Sequence, residues 1–243
     1  MTKRILILFI ILFNLNGNAQ NASDKNNEQQ ISYISIGICD SIKSLKAINS
    51  HLVNLQQTEI YSKFLNDYIL IKQENLKHAD FKNEFNVLNY KLINELNKTC
   101  KDFKIKNSTI LPFTNLIDID SIFSTEETEK INVLARQIRT KNKMEIVILT
   151  IDDLYPEKDI DEFSINKLTD WKVGGVYQKS GAIIVLNKKL KKVYIATTEI
   201  AKNYLTNENC DKLITNIMVP NFKTNNYFEG IYKSLIEISN ILK

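Results

Sequence analysis

Hydrophobic positions repeat at helical spacing through the first half of the chain, from residue 31 to residue 104. The longest apolar stripe advances in steps of three and four and predicts one face of a helix: Phe81, Phe85, Leu88, Leu92, Leu96, Cys100 and Phe103. Two further helices are expected, one over 31–46, which carries Cys39, and one over 57–73. The pattern predicts a small all-α helical domain over 31–104, preceded by a polar leader over 20–30.

In the second half, short apolar runs alternate with helical stretches. Ser124 and Glu127 have the spacing of a capping box ahead of a helix that ends near Lys141. The run MEIVILTI over 144–151 has the continuous apolar character of a strand covered on both faces. Helical spacing returns over 157–170. This alternation favours strands enclosed by helices.

A lysine-rich turn separates the next two apolar runs, AIIVL at 182–186 and KVYIAT at 192–197, and this arrangement predicts a β-hairpin. Two helices complete the chain, the first capped by Asn207 and the second carrying the stripe Phe228, Ile231, Leu235, Ile238 and Leu242. Helices on both sides of buried strands predict a three-layer α/β/α sandwich with a mixed sheet. We place it at 116–243, after a linker over 105–115.

The N-terminal stretch predicts the compartment. Lys3 and Arg4 precede an apolar run over 5–13 and the small residues Gly17 and Ala19, the order found in a signal peptide. The run is shorter than the about 20 apolar residues that a membrane span needs. We therefore expect a signal peptide over 1–19, no stable membrane span after its cleavage, and an exported protein, periplasmic or secreted.

Composition and charge limit the classes of partner that we expect. Hydrophobic residues make up 44% and charged residues 25% of the 243, as in ordinary globular proteins. Cleavage would remove two of the 32 basic residues. The basic residues that remain are nearly balanced by 28 acidic residues. Since nucleic-acid binders usually carry a strong basic patch, we expect no nucleic-acid partner.

Cysteine usage allows at most one internal disulfide, because the three cysteines are Cys39, Cys100 and Cys210. Cys39 with Cys100 is the candidate pair, which would join the first helix to the last helix of the helical domain. Three unpaired thiols are the open alternative, because a sequence does not give the Cα separation that a disulfide requires.

Histidine is scarce, and this limits the chemistry of the second half. Both histidines, His51 and His78, lie in the first half, so the second has no imidazole for a serine or cysteine mechanism. Gly174, Gly175 and Gly181 match neither a dinucleotide-binding nor a phosphate-binding motif. We therefore assign no catalytic residue and no organic cofactor site.

Carboxylates are the remaining reactive groups. Asp118 precedes the capped helix, and Asp152 and Asp153 follow the central strand. Such oxygen ligands suit Ca²⁺ or Mg²⁺, so these three are the candidate metal ligands. Loop aspartates also cap helices and turns, and that alternative stays open.

The order of several segments from residue 110 to residue 243 resembles the TPM domain family. The family's opening, a proline and then V-x-D-x-A-x-x-L-S, is similar to Pro112 followed by LIDIDSIFS. Its central strand is similar to IVILTI. The family then has W-x-I-G followed by D-N-G, and this pair is similar to Trp171–Gly174 followed by KSGAIIVL. Its closing P-x-F and glycine are similar to Pro220, Phe222 and Gly230.

This resemblance implies an α/β/α sandwich, often exported or membrane-tethered, in a family whose members are described as acid phosphatases, calcium binders or accessory factors of membrane protein complexes. The chain departs from the family at three acidic positions. Lys179 and Lys202 stand where the family has an aspartate and a glutamate, and Asn207 replaces a second aspartate. Two lysines there would repel a divalent ion.

The lost acids favour a non-catalytic accessory or binding module with a degenerate acidic site, whose partner is expected in an envelope or membrane protein complex. The alternative is a phosphatase-like hydrolase assisted by Ca²⁺ or Mg²⁺. In it Asp118, Asp152 and Asp153 hold the ion, and phosphate lies near the Gly174–Gly181 loop or on Lys179 and Lys202. A third alternative gives the binding to the helical domain, so that residues 20–108 alone keep the partner.

Overall fold

The computed structural model describes residues 21–48, 57, 59–68, 78–103, 114–175 and 180–243. The predicted signal peptide and nearly all of the predicted linker lie outside these ranges, and so do His51, Pro112 and Lys179. Within the described ranges, none of the helices combines the length and the apolar character that crossing a membrane requires.

Within the described part of the first half there are three helices: α1 (Asn21–Ile48), α2 (residues 59–68) and α3 (His78–Thr99). The start of α1 differs from the prediction, because residues 21–30, expected to be a polar leader, are helical. Their polar composition supplies no apolar stripe by which a helix could be recognised. The three helices enclose a core that includes Ile38, Ile42, Tyr61, Leu92, Ile93 and Leu96. The predicted stripe of α3 therefore does line a core.

A disulfide joins Cys39 on α1 to Cys100, which follows α3 directly, with their Cα atoms 5.7 Å apart. The predicted pairing is thus confirmed against the alternative of three thiols. Cys210 is unpaired and buried, and burial raises the pKa of its thiol to about 11. It is therefore an inert core thiol at neutral pH.

A four-stranded mixed sheet forms the centre of the second half, in the order β1 (Leu116–Asp118), β2 (Glu145–Thr150), β3 (Gly181–Asn187) and β4 (Lys192–Thr197). The first three strands are parallel, and β3 and β4 form the predicted antiparallel hairpin. The pattern did not predict β1, which has only three residues. A buried side chain holds it: Asn132 Oδ1 accepts hydrogen bonds from the backbone N–H groups of Asn115 and Leu116, each at 3.0 Å.

Five α-helices surround the sheet: α4 (Thr125–Asn142), α5 (Ile160–Asp170), α6 (Asn207–Lys212), α7 (Val219–Lys223) and α8 (Tyr227–Ile241). The capping box of Ser124 and Glu127 at α4 is confirmed. The predicted cap of α6 is wrong, because Thr206, not Asn207, accepts the capping hydrogen bond, from the Asn209 N–H. A π-helical segment, Leu213–Met218, connects α6 to α7.

The sheet separates two apolar layers, which confirms the three-layer architecture. On one face, α4 and the helices from α6 to α8 cover a core that includes Ile131, Ile148, Ile184, Leu235 and Ile238. On the other face, α5 covers a core that includes Val147, Leu149, Phe163, Trp171 and Ile183.

Helix α3 contributes to this second core as well as to its own. Tyr90 is buried there and meets Trp171 edge to face, with ring centroids 6.4 Å apart. Val87, one turn earlier, packs against the same core, and the Lys167 ammonium of α5 lies 5.7 Å from the centre of the Tyr90 ring. One face of α3 therefore belongs to the helical half and another to the α/β half.

Candidate functional site at the acidic edge of the sheet

The carboxyl ends of β1, β2 and β3 meet at one edge of the sheet, where ligands commonly bind in open α/β folds. Four carboxylates lie there, in the segments that follow β1 and β2, and we call this group the acidic edge: Asp118, Asp120, Asp152 and Asp153. It contains all three predicted metal ligands and one further aspartate.

Asp118 ends β1 and has only 3% of its surface exposed. Its Oδ1 accepts hydrogen bonds from the Thr150 hydroxyl at 2.6 Å and the Ile122 N–H at 3.1 Å, and its Oδ2 accepts one from the Phe123 N–H at 2.8 Å. Burial raises the pKa of this carboxyl, and the three hydrogen bonds offset part of that rise. Both oxygens serve to fold the β1–α4 loop onto the end of β2.

Asp120 is positioned by the same loop, since its backbone N–H donates to the Thr150 hydroxyl oxygen at 3.1 Å. Its carboxyl is partly buried, and Oδ2 lies out of contact with water and makes no hydrogen bond. Burial, together with the negative charge of Asp152, raises the pKa of Asp120 to about 6. A carboxyl of this kind exchanges a proton near neutral pH.

The negative charge of Asp153 is balanced by a lysine of the helical half. Its Oδ2 is 2.8 Å from the Lys98 ammonium of α3, and its Oδ1 accepts a hydrogen bond from the Tyr155 N–H at 2.8 Å. Partial burial favours a higher pKa for Asp153, but these two hydrogen bonds outweigh it and hold the pKa below the usual range. Both oxygens of Asp153 thus have a partner within the chain.

The three predicted ligands lie at one edge but do not converge. Asp152 is exposed, whereas both oxygens of Asp118 and of Asp153 accept hydrogen bonds within the protein. Among the described residues, no three carboxylate, imidazole or thiol side chains lie close enough together to hold a metal ion. The assignment of Asp118, Asp152 and Asp153 to Ca²⁺ or Mg²⁺ stays a prediction.

Asn187, at the end of β3, adds a buried amide to this edge. It has no exposed surface, and its Oδ1 accepts a hydrogen bond from the Leu190 N–H at 2.8 Å. Its Nδ2 makes no hydrogen bond, an uncommon state for a buried amide. In the sequence, Asn187 is only the residue that follows the apolar run at 182–186. Nothing in the local sequence indicates that its amide is buried.

The opposite edge of the sheet contains the glycines, and we call Gly174, Gly175 and Gly181 the glycine edge. Gly174 has φ +82°, and a Cβ on it would lie 2.4 Å from the carbonyl carbon and oxygen of Ser180. The Gly174 N–H donates to Glu145 Oε2 at 2.6 Å. These glycines bring two backbone segments into direct contact.

Two of the three residues that the resemblance marks as replaced acids, Lys202 and Asn207, come after β4, and Lys179 lies outside the described residues. Lys202 forms an ion pair with Glu199 at 2.7 Å, and Asn207 is the first residue of α6. Neither residue reaches the acidic edge, because β4 runs antiparallel to β3 and ends beside the start of β3.

Sequence reasoning missed Lys98 as a site residue, although a signal was present. Val87, Tyr90, Asn94 and Lys98 follow one another in steps of three and four, which places them on one helix face. Because this stripe mixes apolar and polar side chains, it resembles a solvated face. The structure turns Val87, Tyr90 and Lys98 toward the α/β half.

Comparison with known proteins identifies the α/β half. No curated protein matches the chain. A solved structure that does match is the NMR structure of the N-terminal domain of a protein from P. gingivalis, with 20% identity and a TM-score of 0.49, covering 58% of this chain and 93% of that one. The model of the TPM domain matches residues 116–241, just over half of the 243. The chain belongs to the TPM domain family.

Proposed function

We propose that this exported TPM-domain protein works as a non-catalytic accessory or binding module of an envelope or membrane protein complex. The export signal expected over residues 1–19 supports the compartment, periplasmic or secreted. The degenerate acids support the absence of catalysis.

One observation carries the proposal. A phosphatase-like centre would need its metal ligands, Asp118, Asp152 and Asp153, beside the phosphate site expected near the Gly174–Gly181 loop and Lys202. The two groups lie at opposite ends of β2, which has six residues, and at about 3.3 Å per residue that is roughly 20 Å. A metal ion and a phosphate held at such a distance do not react.

The state of the individual carboxylates supports the same conclusion. Asp118 is committed to three internal hydrogen bonds, and Asp153 has an ammonium as its counter-ion. Both oxygens of each carboxylate thus already accept hydrogen bonds within the chain, and no third acidic side chain among the described residues joins them to complete a set of metal ligands. The acidic edge is therefore better suited to contact a partner than to assemble a metal centre.

The experiment is a phosphatase assay on the purified mature chain with p-nitrophenyl phosphate, in Ca²⁺, in Mg²⁺ and in EDTA. We expect no turnover above the uncatalysed rate in any of them, and a pull-down from the exported fraction should recover a partner. Metal-dependent turnover would overturn the proposal.

A phosphatase-like hydrolase confined to the acidic edge is the second candidate, and Asp120 is the observation that favours it. Its pKa of about 6 suits a general acid, and it follows β1 at the carboxyl end of the parallel strands, where ligands commonly bind in open α/β folds. Ca²⁺ or Mg²⁺ near Asp152 would supply the charge that stabilises a phosphoryl group.

This candidate predicts turnover at pH 5 that falls as the pH rises through about 6, because the acid form of Asp120 is lost. Asp120→Asn should abolish that turnover and leave the fold intact. Asp152→Ala, at an exposed position, tests the metal requirement, and its dependence on Ca²⁺ or Mg²⁺ concentration is compared at pH 5, because the variant also removes a charge that raises the pKa of Asp120.

A further inference from the structure

The contact between α3 and the segment after β2 has two parts. The Lys98 Nζ lies 2.8 Å from Asp153 Oδ2 and 5.0 Å from the centre of the Tyr155 ring. The Tyr155 N–H donates to Asp153 Oδ1, which fixes the carboxylate relative to the ring. One short segment thus presents a carboxylate and an aromatic face to the same ammonium group.

A carboxylate combined with an aromatic face recognises a primary ammonium ion through a charge-assisted hydrogen bond and a cation–π contact. We propose that the Asp153–Tyr155 segment is the site at which this module binds a lysine side chain of a partner protein, and that Lys98 occupies it in the free chain. The inference rests on the proposed binding function and names the chemistry of its partner.

The intramolecular occupant is exchangeable. The side chains of Lys98 and Asp153 are 36% and 49% exposed, and Tyr155 is 42% exposed. Ion pairs with this exposure contribute little to stability and are screened by salt. A partner lysine that arrives with further contacts can therefore displace Lys98.

The exchange requires no movement of the backbone. Helix α3 is held by the disulfide at Cys100 on one side and by Tyr90 against Trp171 on the other. Only the Lys98 side chain has to rotate away, at the cost of one surface ion pair. The segment itself is anchored by Leu154, between Asp153 and Tyr155, which is buried in the core of the α/β half.

The surrounding charges favour a cation as the ligand. Asp152 and Asp153 are adjacent, and Lys189 is a further cation whose charge acts on Asp153. Once Lys98 leaves, two carboxylates face one lysine. A divalent metal suits the site less well, because an aromatic face donates no ligand and no third carboxylate among the described residues joins Asp152 and Asp153.

The test is an NMR titration of the full mature chain with N-α-acetyl-lysine amide, following the backbone resonances of Asp153 and Tyr155. In the Lys98→Met variant, which lacks the internal competitor, we expect about two- to fivefold tighter binding than in the unmodified chain. Lys43→Met is the matched control, because Lys43 forms an exposed ion pair with Asp40 on α1. It should bind the probe as the unmodified chain does.

Two results would overturn the inference: equal affinity in the unmodified chain and Lys98→Met, or shifts at Asp153 and Tyr155 with CaCl₂ but not with the lysine probe. Asp153→Asn and Tyr155→Leu should each weaken binding of the probe.

A pull-down separates this inference from the proposed function. If the unmodified chain and Asp153→Asn recover the same partner equally, the module binds by another surface and only this inference fails. Metal-dependent phosphatase turnover with no recovered partner would instead remove the proposed function.

Discussion

The two edges of the sheet are held together by different kinds of contact. At the glycine edge, Gly174 and Gly181 still bring two backbone segments into contact, while Lys202 and Asn207 stand where acids were expected. At the acidic edge the carboxylates are present, but hydrogen bonds and an ammonium engage Asp118 and Asp153. The glycine edge thus depends on steric contact between backbone segments, whereas the acidic edge depends on charged groups and their partners, so the two edges should respond differently to substitution.

If the glycine edge is held by close backbone contact, Gly174→Ala should have the largest effect. The new Cβ would lie 2.4 Å from the Ser180 carbonyl at a φ of +82°, so strain and overpacking should together lower the free energy of unfolding by about 4 kcal/mol. Urea unfolding of the purified chain measures this. Gly175→Ala is the control with a negative φ and should cost much less; equal losses would contradict the steric argument.

At the acidic edge, Asp118→Ala should be the most costly substitution. It leaves the Ile122 and Phe123 N–H groups and the Thr150 hydroxyl without their acceptor, for an expected loss of about 3 kcal/mol. Urea unfolding compares it with Asp152→Ala, an exposed neighbour for which we expect no loss. A small effect at Asp118 would mean that its carboxylate is available for other roles.

Asp120→Asn should stabilise the protein. The folded-state pKa of Asp120 is about 6 against an ordinary value of 3.8, so the folded state binds the proton more tightly and stability falls as the pH rises from about 4 to about 6. At pH 7.5 the variant should gain about 1 kcal/mol, a value reduced for solvent screening. At pH 3.5 the gain should vanish. Guanidinium unfolding at both pH values is the measurement, and a gain that does not depend on pH would contradict the assignment.

Lys98→Met should have the smallest effect on stability. The ion pair with Asp153 is exposed on both sides, so we expect the free energy of unfolding to change by less than about 0.5 kcal/mol. Thermal unfolding in 0.15 M and 1 M salt is the measurement. A large loss that is insensitive to salt would show that Lys98 is part of the fold and not an exchangeable occupant.

The elements that the sequence predicted correctly are those whose signal is local. The capping box at Ser124 is a pattern of four residues, and the hairpin is two apolar runs joined by a polar turn. Thr206 and Asn207 both have a side-chain oxygen able to cap α6, and only the bond to the Asn209 N–H selects Thr206. Adjacent capping residues give no basis for a choice in the sequence.

The parts of the site that were not predictable depend on contacts between distant segments. The sequence placed Asp118 before the capped helix and Asp152 and Asp153 after the central strand, but it did not indicate their partners. The hydroxyl of Thr150 and the ammonium of Lys98 come from elsewhere in the chain, and nothing in their local sequence indicates the pairing. The pKa of Asp120 likewise depends on burial, which a sequence does not give.

Because Tyr90 on α3 packs against Trp171 in the core of the α/β half, we expect the two halves to unfold as one cooperative unit. A cut near residue 108 would leave each fragment with an apolar surface open to water, even though the sequence changes character there. Trp171 is the sole tryptophan, so its fluorescence reports on the α/β half while far-ultraviolet dichroism follows all helices. Both signals should lose their native values at one temperature.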